Sequence, residues 1–300
     1  MMKKRVKQGS AILLAFAVAL SVFVLPGVWA ASAIDVDRKD CSVEFSVGGD
    51  YKELNTNDLS VKLYRVASVD KAGAYTPVGD FSGLDLSALS RENKDSAAEW
   101  LTRAQAAEDM VTANTAVAAD PTIKNGKATV KNLETGLYLV SVEQLVTPNY
   151  VYTFTPYLIS LPNNYYYQTG DDEWVYELSE VVLKPEQTPR YGSLVIDKTL
   201  RDFNATSGAQ ATFVFQITTL EGKTESRVEA MTMGAGEESQ QLTIDQIPAG
   251  ASVRVIETYS GASYTQVSDD PDDVTIFADE AVRVSFENAH DGRPNGGYGV

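Results

Sequence analysis

Three polar side chains fall on the apolar faces of strand-like segments in the last third of the sequence. Because side chains alternate between the two faces of a strand, Lys198 shares a face with Leu194 and Ile196. The same alternation places Glu257 and Asn288 on the apolar faces of two later segments. The sequence therefore predicts that an amine, a carboxyl and an amide point into one small core.

These three groups have the chemistry of a covalent cross-link. They should lie together, because burying any of them alone is costly. Burial favours the neutral amine of Lys198, which is a nucleophile. Its target would be the side-chain carbonyl of Asn288, with Glu257 hydrogen-bonded to that carbonyl and shuttling protons as ammonia leaves. The expected product is an intramolecular isopeptide bond between Lys198 and Asn288; the alternative is a salt bridge at the core edge without covalent closure.

The elements that must position these residues are predicted to be short strands. Alternating apolar residues indicate strands over 41–47 and 59–66, and helix-forming residues between Ser96 and Ala107 indicate one helix. Further strand patterns lie over 127–130, 137–146, 150–161 and 174–183, and then over 192–200, 211–219, 241–244, 251–258, 273–277 and 281–288. Such spacing is typical of β-sandwiches. The sequence therefore predicts a mainly β protein of tandem sandwich domains, the first with a helical insertion.

The length and local composition indicate how these domains divide the chain. A chain of 300 residues is long enough for two domains. We predict a signal peptide over 1–33, a first β-domain over 34–184, a linker over 185–190, a second β-domain over 191–288 and a flexible tail over 289–300. The linker is assigned because it carries two prolines and no apolar side chain.

The first residues have the pattern of a secretory signal peptide. Basic residues precede an apolar run over Ala11–Leu25, which is short for a membrane span. The small residues that follow fit cleavage after Ala33 or Ala30. We therefore expect a secreted or cell-surface protein whose mature form has no transmembrane segment.

The charge and composition argue against several classes of function. The 25 basic and 41 acidic residues give a net charge of −16, which repels polyanions, so no nucleic-acid partner is expected. A single histidine and a single cysteine cannot assemble the common zinc sites or an intramolecular disulfide. No nucleophile–base pair is visible outside the three residues above. We therefore expect no metal, no cofactor and no turnover enzyme.

An internal repeat relates the two predicted domains. The segment Val130–Glu143 aligns without gaps on Ile244–Glu257, and the glycine and the terminal glutamate coincide. Glu143 therefore occupies the position of Glu257 and is a candidate vestigial acid. The first strand of that domain has no inward lysine and its last strand has no asparagine, so a second isopeptide bond is not expected there.

Motifs in the second domain resemble those of a known family. In chain order they are Gly192-Ser-Leu-Val-Ile-Asp-Lys-Thr-Leu200, Ile247-Pro-Ala-Gly250, Val253-x-Val-x-Glu257 and Val284-x-Phe-x-Asn288. Their order is similar to that of the collagen-adhesin B-type (Cna B-type) domains, immunoglobulin-like sandwiches of Gram-positive surface proteins and pilins. The resemblance covers 191–288 and implies that Lys198 is the nucleophile, Asn288 its partner and Glu257 the catalytic acid.

The first domain resembles the N-terminal domain of pilus subunits. The resemblance rests on Leu63-Tyr-Arg-Val-Ala67, Thr135-Gly-Leu-Tyr-Leu-Val140, Pro156-Tyr-Leu-Ile-Ser-Leu-Pro162 and Trp174-Val-Tyr-Glu-Leu178. In that family a Tyr-Pro-Lys-Asn-like segment supplies the lysine that sortase joins to the next subunit. Here Val182-Leu-Lys-Pro-Glu186 stands in its place, with the lysine before the proline and no following asparagine. Lys184 is therefore a candidate sortase acceptor, with a solvated linker lysine as the alternative.

Four other features have weaker claims to a function. His290, in a tail rich in Gly, Asp and Pro, is expected to be solvated rather than part of a Ser-His-Asp triad. The acidic run Asp269–Asp273 lacks the ligand spacing and glycine of a calcium loop and is expected to be solvated too. The aromatic run Tyr165–Tyr167 could contact a glycan or a partner, although aromatic strand ends are common. Cys41 is expected to be an incidental free thiol near the first strand.

The leading functional prediction is a structural surface protein, a pilus subunit or pilus-like component stabilised by its own cross-link. Its partners would then be other pilin subunits joined through sortase. The alternative is a secreted adhesin that binds a host or cell-surface ligand on the same scaffold. The sequence ends without a Leu-Pro-x-Thr-Gly signal, an apolar segment or a basic tail. We therefore expect either a fragment or a protein that is not anchored to the wall by that route.

Overall fold

The computed structural model describes residues 33–48, 51–89, 96–164, 173–202, 210–220 and 225–293. These residues are mainly β-strand and include one α-helix, α1 (Ser96–Met110), so the predicted fold class is confirmed. In chain order the strands are β1 (Cys41–Ser46), β2 (Leu59–Val69), β3 (Tyr75–Pro77), β4 (Thr122–Ile123), β5 (Lys127–Leu133), β6 (Gly136–Val142), β7 (Leu145–Val146), β8 (Tyr150–Phe154), β9 (Tyr157–Leu161), β10 (Asn163–Asn164), β11 (Trp174–Val175), β12 (Glu177–Val182), β13 (Pro185–Pro189), β14 (Tyr191–Arg201), β15 (Ala211–Thr219), β16 (Glu225–Met233), β17 (Ser239–Pro248), β18 (Ser252–Tyr259), β19 (Tyr264–Gln266), β20 (Val274–Thr275) and β21 (Ala281–His290).

The chain forms two compact units. The first contains the described residues up to Glu143 and from Thr153 to Pro185; the second contains Gln144–Tyr152 and the described residues from Glu186 onward. The second unit thus includes the segment Gln144–Tyr152, which we predicted within the first domain. The predicted signal peptide, apart from Ala33, lies outside the described residues, as do Tyr165–Tyr167 and the end of the predicted tail. Within the described part of the chain no helix is long and apolar enough to cross a membrane.

The first unit combines sheets with the predicted helix. One sheet has the order β12-β1-β5, another has the order β3-β2-β6-β9 with β4 also paired to β2, and β10 pairs with β11. The helix α1 packs on the second sheet through the buried Ala104 and Ala107, three residues apart on one face. Trp100, one turn before Ala104, meets the ring of Tyr75 edge-on at 6.3 Å. The predicted helix over 96–107 is confirmed and extends to Met110.

The second unit is a β-sandwich, and its two sheets position the predicted site. One sheet has the order β17-β14-β21-β19 and the other has the order β16-β15-β18-β20. Strand β14 is central in the first sheet, antiparallel to β17 and parallel to β21. Buried apolar residues from both sheets form one core, among them Leu194, Phe213, Val255 and Phe286. The inward faces of β14, β18 and β21 therefore meet in this core.

The segment predicted as a linker is a strand. Residues Pro185–Pro189 form β13, which lies beside β8 in a three-stranded sheet with β7. Extended backbone suits the prolines at both ends, and a proline is tolerated on an edge strand because its missing N–H need not pair. The predicted tail also begins later than expected, since β21 continues to His290, which pairs with Tyr264.

The internal repeat corresponds to equivalent structure in the two units. In the first unit the segment Val130–Glu143 runs from β5 in one sheet to β6 in another; in the second, Ile244–Glu257 runs from β17 to β18, also in different sheets. The aligned residues Asn132 and Gln246 both have positive φ, 60° and 62°. Left-handed backbone is uncommon for residues other than glycine, so its recurrence at one repeat position supports a common local fold.

Candidate functional site

Lys198 lies in the second half of the central strand β14 and is fully buried. Its neighbours in register are Gln240 on β17 and Phe286 on β21. Strand alternation directs it inward with Leu194 and Ile196, as predicted. The amine nitrogen Nζ lies 4.6 Å from the centre of the Phe213 ring and 5.9 Å from that of Phe286. The nucleophile candidate is therefore enclosed by apolar surface that excludes water.

Glu257 reaches the same place from the facing sheet. It lies on β18, and its Oε1 atom is 2.7 Å from Lys198 Nζ, with both side chains 0% exposed. The register of β18 shifts beside it, because Phe215 pairs with Glu257 while Val214 pairs with Tyr259. The extra residue, Thr258, makes a β-bulge, a feature that redirects neighbouring side chains. The carboxyl thus meets the amine across the sandwich.

Asn288 lies next to Lys198 within one sheet. In the parallel pairing of β14 and β21, Lys198 is opposite Phe286 and Leu200 is opposite Asn288, so the two polar side chains are diagonal neighbours on the inward face. Asn288 is 0% exposed. Its amide nitrogen Nδ2 donates a hydrogen bond of 3.1 Å to the main-chain carbonyl of Ser260. The amide is therefore fixed by a partner that sequence reasoning did not identify.

The remaining polar atoms of the site have no hydrogen-bond partner among the described residues. They are Lys198 Nζ, both carboxyl oxygens of Glu257 and Asn288 Oδ1. Nζ and Oε1 of Glu257 nevertheless form a buried ion pair at 2.7 Å, and this contact favours the charged amine. Buried polar atoms without partners are rare in native proteins. Here they belong to three groups that can react with one another.

Burial controls the protonation of the amine. It lowers the pKa of Lys198 below its ordinary value, and the adjacent Glu257 carboxyl offsets part of that shift by favouring the charged form. The neutral, nucleophilic form of Lys198 is therefore more accessible than in an exposed lysine. A carboxyl in contact with the amine can accept the proton that the amine gives up.

The other predicted site residues lie outside this cluster. Lys184 is exposed, between β12 and β13. Glu143 is also outside any core: its side chain is 57% exposed and forms a 2.6 Å ion pair with Lys62. It therefore occupies the repeat position of Glu257 without sharing its burial.

The features with weaker claims have ordinary local partners. The ring of His290 packs against Tyr264, and its Nε2 lies 3.0 Å from the carbonyl of Arg293. Asp273, in the acidic run, pairs with Arg254 at 2.8 Å. The described ranges contain no group of three or more His, Cys, Asp or Glu arranged to hold a metal ion. Cys41 is buried in β1, and burial raises its pKa to about 11.

Comparisons with known proteins give one sequence family and several solved structures. The model of a domain of unknown function (DUF5979) matches residues 194–291. Among curated proteins, none is similar enough in sequence to count as a match. The family match contains Lys198, Glu257 and Asn288, so all three lie within one recognised domain.

Solved structures similar to this chain include pilins of Gram-positive bacteria. The major pilin of Streptococcus pyogenes is 12% identical, with 85% of this chain and 99% of that chain covered and a TM-score of 0.29. The full-length major pilin SpaD of Corynebacterium diphtheriae is also 12% identical, with 86% and 99% covered and a TM-score of 0.28. The minor pilin GBS52 of Streptococcus agalactiae is 15% identical, with 85% and 98% covered and a TM-score of 0.26.

Proposed function

We propose that the second unit closes an isopeptide bond between Lys198 and Asn288, once per molecule and without a cofactor. The observation that carries this proposal is the 2.7 Å contact of Lys198 with Glu257, at 0% exposure of both side chains, beside a fully buried Asn288 on the neighbouring strand. An amine, a proton acceptor and an amide are thus confined together without water. In such a site the reacting groups are already oriented, which lowers the barrier to a reaction that is slow in solution.

The reaction balances with these three residues alone. Lys198 gives a proton to Glu257, and the neutral Nζ attacks Cγ of Asn288 while the Glu257 hydroxyl donates to Oδ1. Glu257 then takes a proton from the attacking nitrogen and passes it to Nδ2. As the Cγ–Nδ2 bond breaks, Oδ1 returns its proton to the Glu257 carboxylate and the Cγ=Oδ1 double bond re-forms. The Nζ–Cγ bond remains and ammonia leaves. Glu257 is therefore a proton carrier and is not consumed.

The position of the bond supports a structural role for the protein. It would join β14, the first strand of the sandwich, to β21, its last. Tension applied along the chain on either side of the sandwich would pass through the bond, and the residues between 198 and 288 would be relieved of load. We propose a secreted or cell-surface protein, a pilus subunit or pilus-like component with a Cna B-type second domain. The motif order and the signal-peptide pattern of the N-terminus support this role.

Intact mass spectrometry of the folded protein tests the bond. We expect a mass lower than that of the processed sequence by one ammonia, and a branched peptide joining Lys198 to Asn288 after digestion. Glu257→Gln keeps the side-chain volume but cannot carry the proton, so the full mass should return. Glu238→Gln changes an exposed glutamate of the same unit and should leave closure intact. An unaltered folded protein at full sequence mass would rule out the bond.

We also propose that Lys184 is the lysine that sortase joins to a neighbouring subunit. Its exposure between β12 and β13 makes the amine accessible to an enzyme. Incubation with a pilus sortase and a sorting-signal peptide should link the peptide to Lys184, and Lys184→Arg should abolish linkage. Lys71→Arg, at another exposed position, is the control. Linkage that persists through a different lysine would contradict the assignment.

A further inference from the structure

The amide of Asn288 is held in one of its two orientations. Nδ2 donates to the carbonyl of Ser260 at 3.1 Å, while Oδ1 has no hydrogen-bond partner in the described part of the chain. A side-chain amide rotated by 180° would instead set an oxygen against that carbonyl oxygen, which cannot donate. The Ser260 carbonyl therefore selects the orientation in which the nitrogen faces the loop.

The loop that carries Ser260 is fixed to β21 at Asn288 and at residues that follow it. It connects β18, which carries Glu257, to β19, and Gln266 on β19 pairs with Asn288. The main-chain N–H of Asp291 also donates to the carbonyl of Ser263 at 3.0 Å. Because these main-chain hydrogen bonds hold the loop against β21, the position of the Ser260 carbonyl is fixed relative to Asn288.

Gly261 allows the loop to adopt a conformation that a residue with a side chain would strain. Its φ is +88°, in the left-handed region that favours glycine. A Cβ there would lie 3.3 Å from the Tyr264 ring, 3.4 Å from the Phe213 ring and 3.5 Å from the carbonyl of Thr212. A side chain at 261 would therefore strain the peptide that carries the Ser260 carbonyl.

We propose that Ser260, held by Gly261, positions the leaving nitrogen of the isopeptide reaction through its main-chain carbonyl. The proposal rests on the proposed function and adds a fourth residue to it. With Nδ2 bound to the loop, Oδ1 stays free to accept the Glu257 proton and Cγ stays open to Nζ. When the proton reaches Nδ2, the departing ammonia still has N–H groups for the carbonyl. An ionised aspartate at 288 would instead set an oxygen against it, so this carbonyl also favours Asn over Asp.

The rate of closure in matched glycine variants tests the positioning role. Gly236 has almost the same φ, +86°, but a Cβ there would meet nothing within 4 Å. After a short pulse of expression and an acid quench, intact mass gives the unclosed fraction over time. We expect Gly261→Ala to close at least about tenfold more slowly than the unaltered protein, since misplacement of a reacting group is costly, and Gly236→Ala to close normally. In a Lys198→Met background, which cannot form the bond, both Gly261→Ala and Gly236→Ala should lower the unfolding temperature, because each places a side chain at a positive φ.

The orientation of the amide can be measured directly as well. In unclosed Glu257→Gln protein, NMR should show a coupling across the hydrogen bond between Asn288 Nδ2 and the carbonyl carbon of Ser260. This measurement keeps the inference testable even if Gly261→Ala fails to fold. Absence of the coupling, or closure of Gly261→Ala at the unaltered rate, would overturn the role of Ser260. An unaltered protein that never loses ammonia would instead overturn the proposed function.

Discussion

Lys198 and Asn288 lie on the same face of adjacent parallel strands, two register positions apart. Their side chains are therefore held side by side by main-chain hydrogen bonds along the whole of β14 and β21. Glu257 approaches from the facing sheet and contacts Lys198 at 2.7 Å. The position of the proposed reacting pair thus depends on the pairing within one sheet, and that of the proposed proton carrier depends on the packing of the two sheets.

Loss of the cross-link should destabilise the second unit strongly. Asn288→Ala prevents closure of a loop of about 90 residues, and chain-entropy arguments place the loss on the order of 4 kcal/mol. Lys198→Met should cost a similar amount for the same reason. Because either change removes the bond completely, the double variant should lose much less than the sum of the two. Urea unfolding of the second unit measures all three; additive losses would show that no bond links these residues.

The stability of the unclosed protein should depend on pH through Lys198. In Asn288→Ala the amine remains. Burial lowers its folded-state pKa below the ordinary 10.5 of the unfolded chain, and Glu257 offsets only part of that shift. The unfolded chain then binds the proton more tightly than the folded protein does. The loss of folding stability from burying the charged amine is therefore complete below the folded-state pKa and disappears as pH rises towards 10.5.

The matched control for this pH effect is Lys198→Met/Asn288→Ala, which keeps Glu257 but has no amine at the site. The free energy of unfolding of Asn288→Ala should rise with pH relative to that of the control. Parallel pH profiles of the two variants would show that Lys198 is not the titrating group. The closed protein should resemble the control, because its amine has become an amide.

The ion pair on the outer face of β14 and β21 should contribute little to stability or to the rate of bond closure. Arg283 on β21 donates to Asp197 on β14 at 2.8 Å, and the two side chains are 49% and 23% exposed. Exposed pairs of this kind contribute about 0–1 kcal/mol. We therefore expect Arg283→Ala to close at the normal rate and to lose at most about 1 kcal/mol of stability. Slow closure in this variant would indicate that the bond depends on strand pairing more than on the inward cluster.

Cys41 should report on unfolding of the first unit. It is the only cysteine in the sequence, it is buried, and its pKa is raised to about 11 by burial. A thiol reacts through its thiolate, so the folded protein should resist a thiol-specific reagent at pH 8 while the urea-unfolded protein reacts readily. Fast labelling under native conditions would mean that β1 opens without global unfolding of this unit.

The inward positions of the three site residues could be predicted because period-two alternation is a local property. The structure places Lys198, Glu257 and Asn288 in the core, as their spacing indicates, and their chemical roles stay predictions. Ser260 could not be predicted in the same way. A main-chain carbonyl has no signature in residue type, and its direction depends on a loop fixed by long-range contacts. The only local signal is the glycine that follows it.

Two of the strands that were not predicted from the sequence lack alternation. Strand β16 (Glu225–Met233) is exposed on both faces in its first half, so its residues show no apolar period there. Strand β13 contains no apolar side chain apart from its prolines, and it depends on β8 for its hydrogen bonds. Both lie at sheet edges, where pairing rather than burial defines the strand.

The β14–β21 pairing has a consequence for how the second unit folds. Its partners are separated by nearly the whole length of that unit, and contacts between distant parts of a chain form slowly. Once the proposed bond between Lys198 and Asn288 has formed, this pairing would become local. An unfolded molecule would keep the first and last strands of the sandwich joined at these two residues. Later refolding would start from these joined strands. The bond can form only in the folded protein, so it would persist in every molecule that has folded once, even after that molecule unfolds.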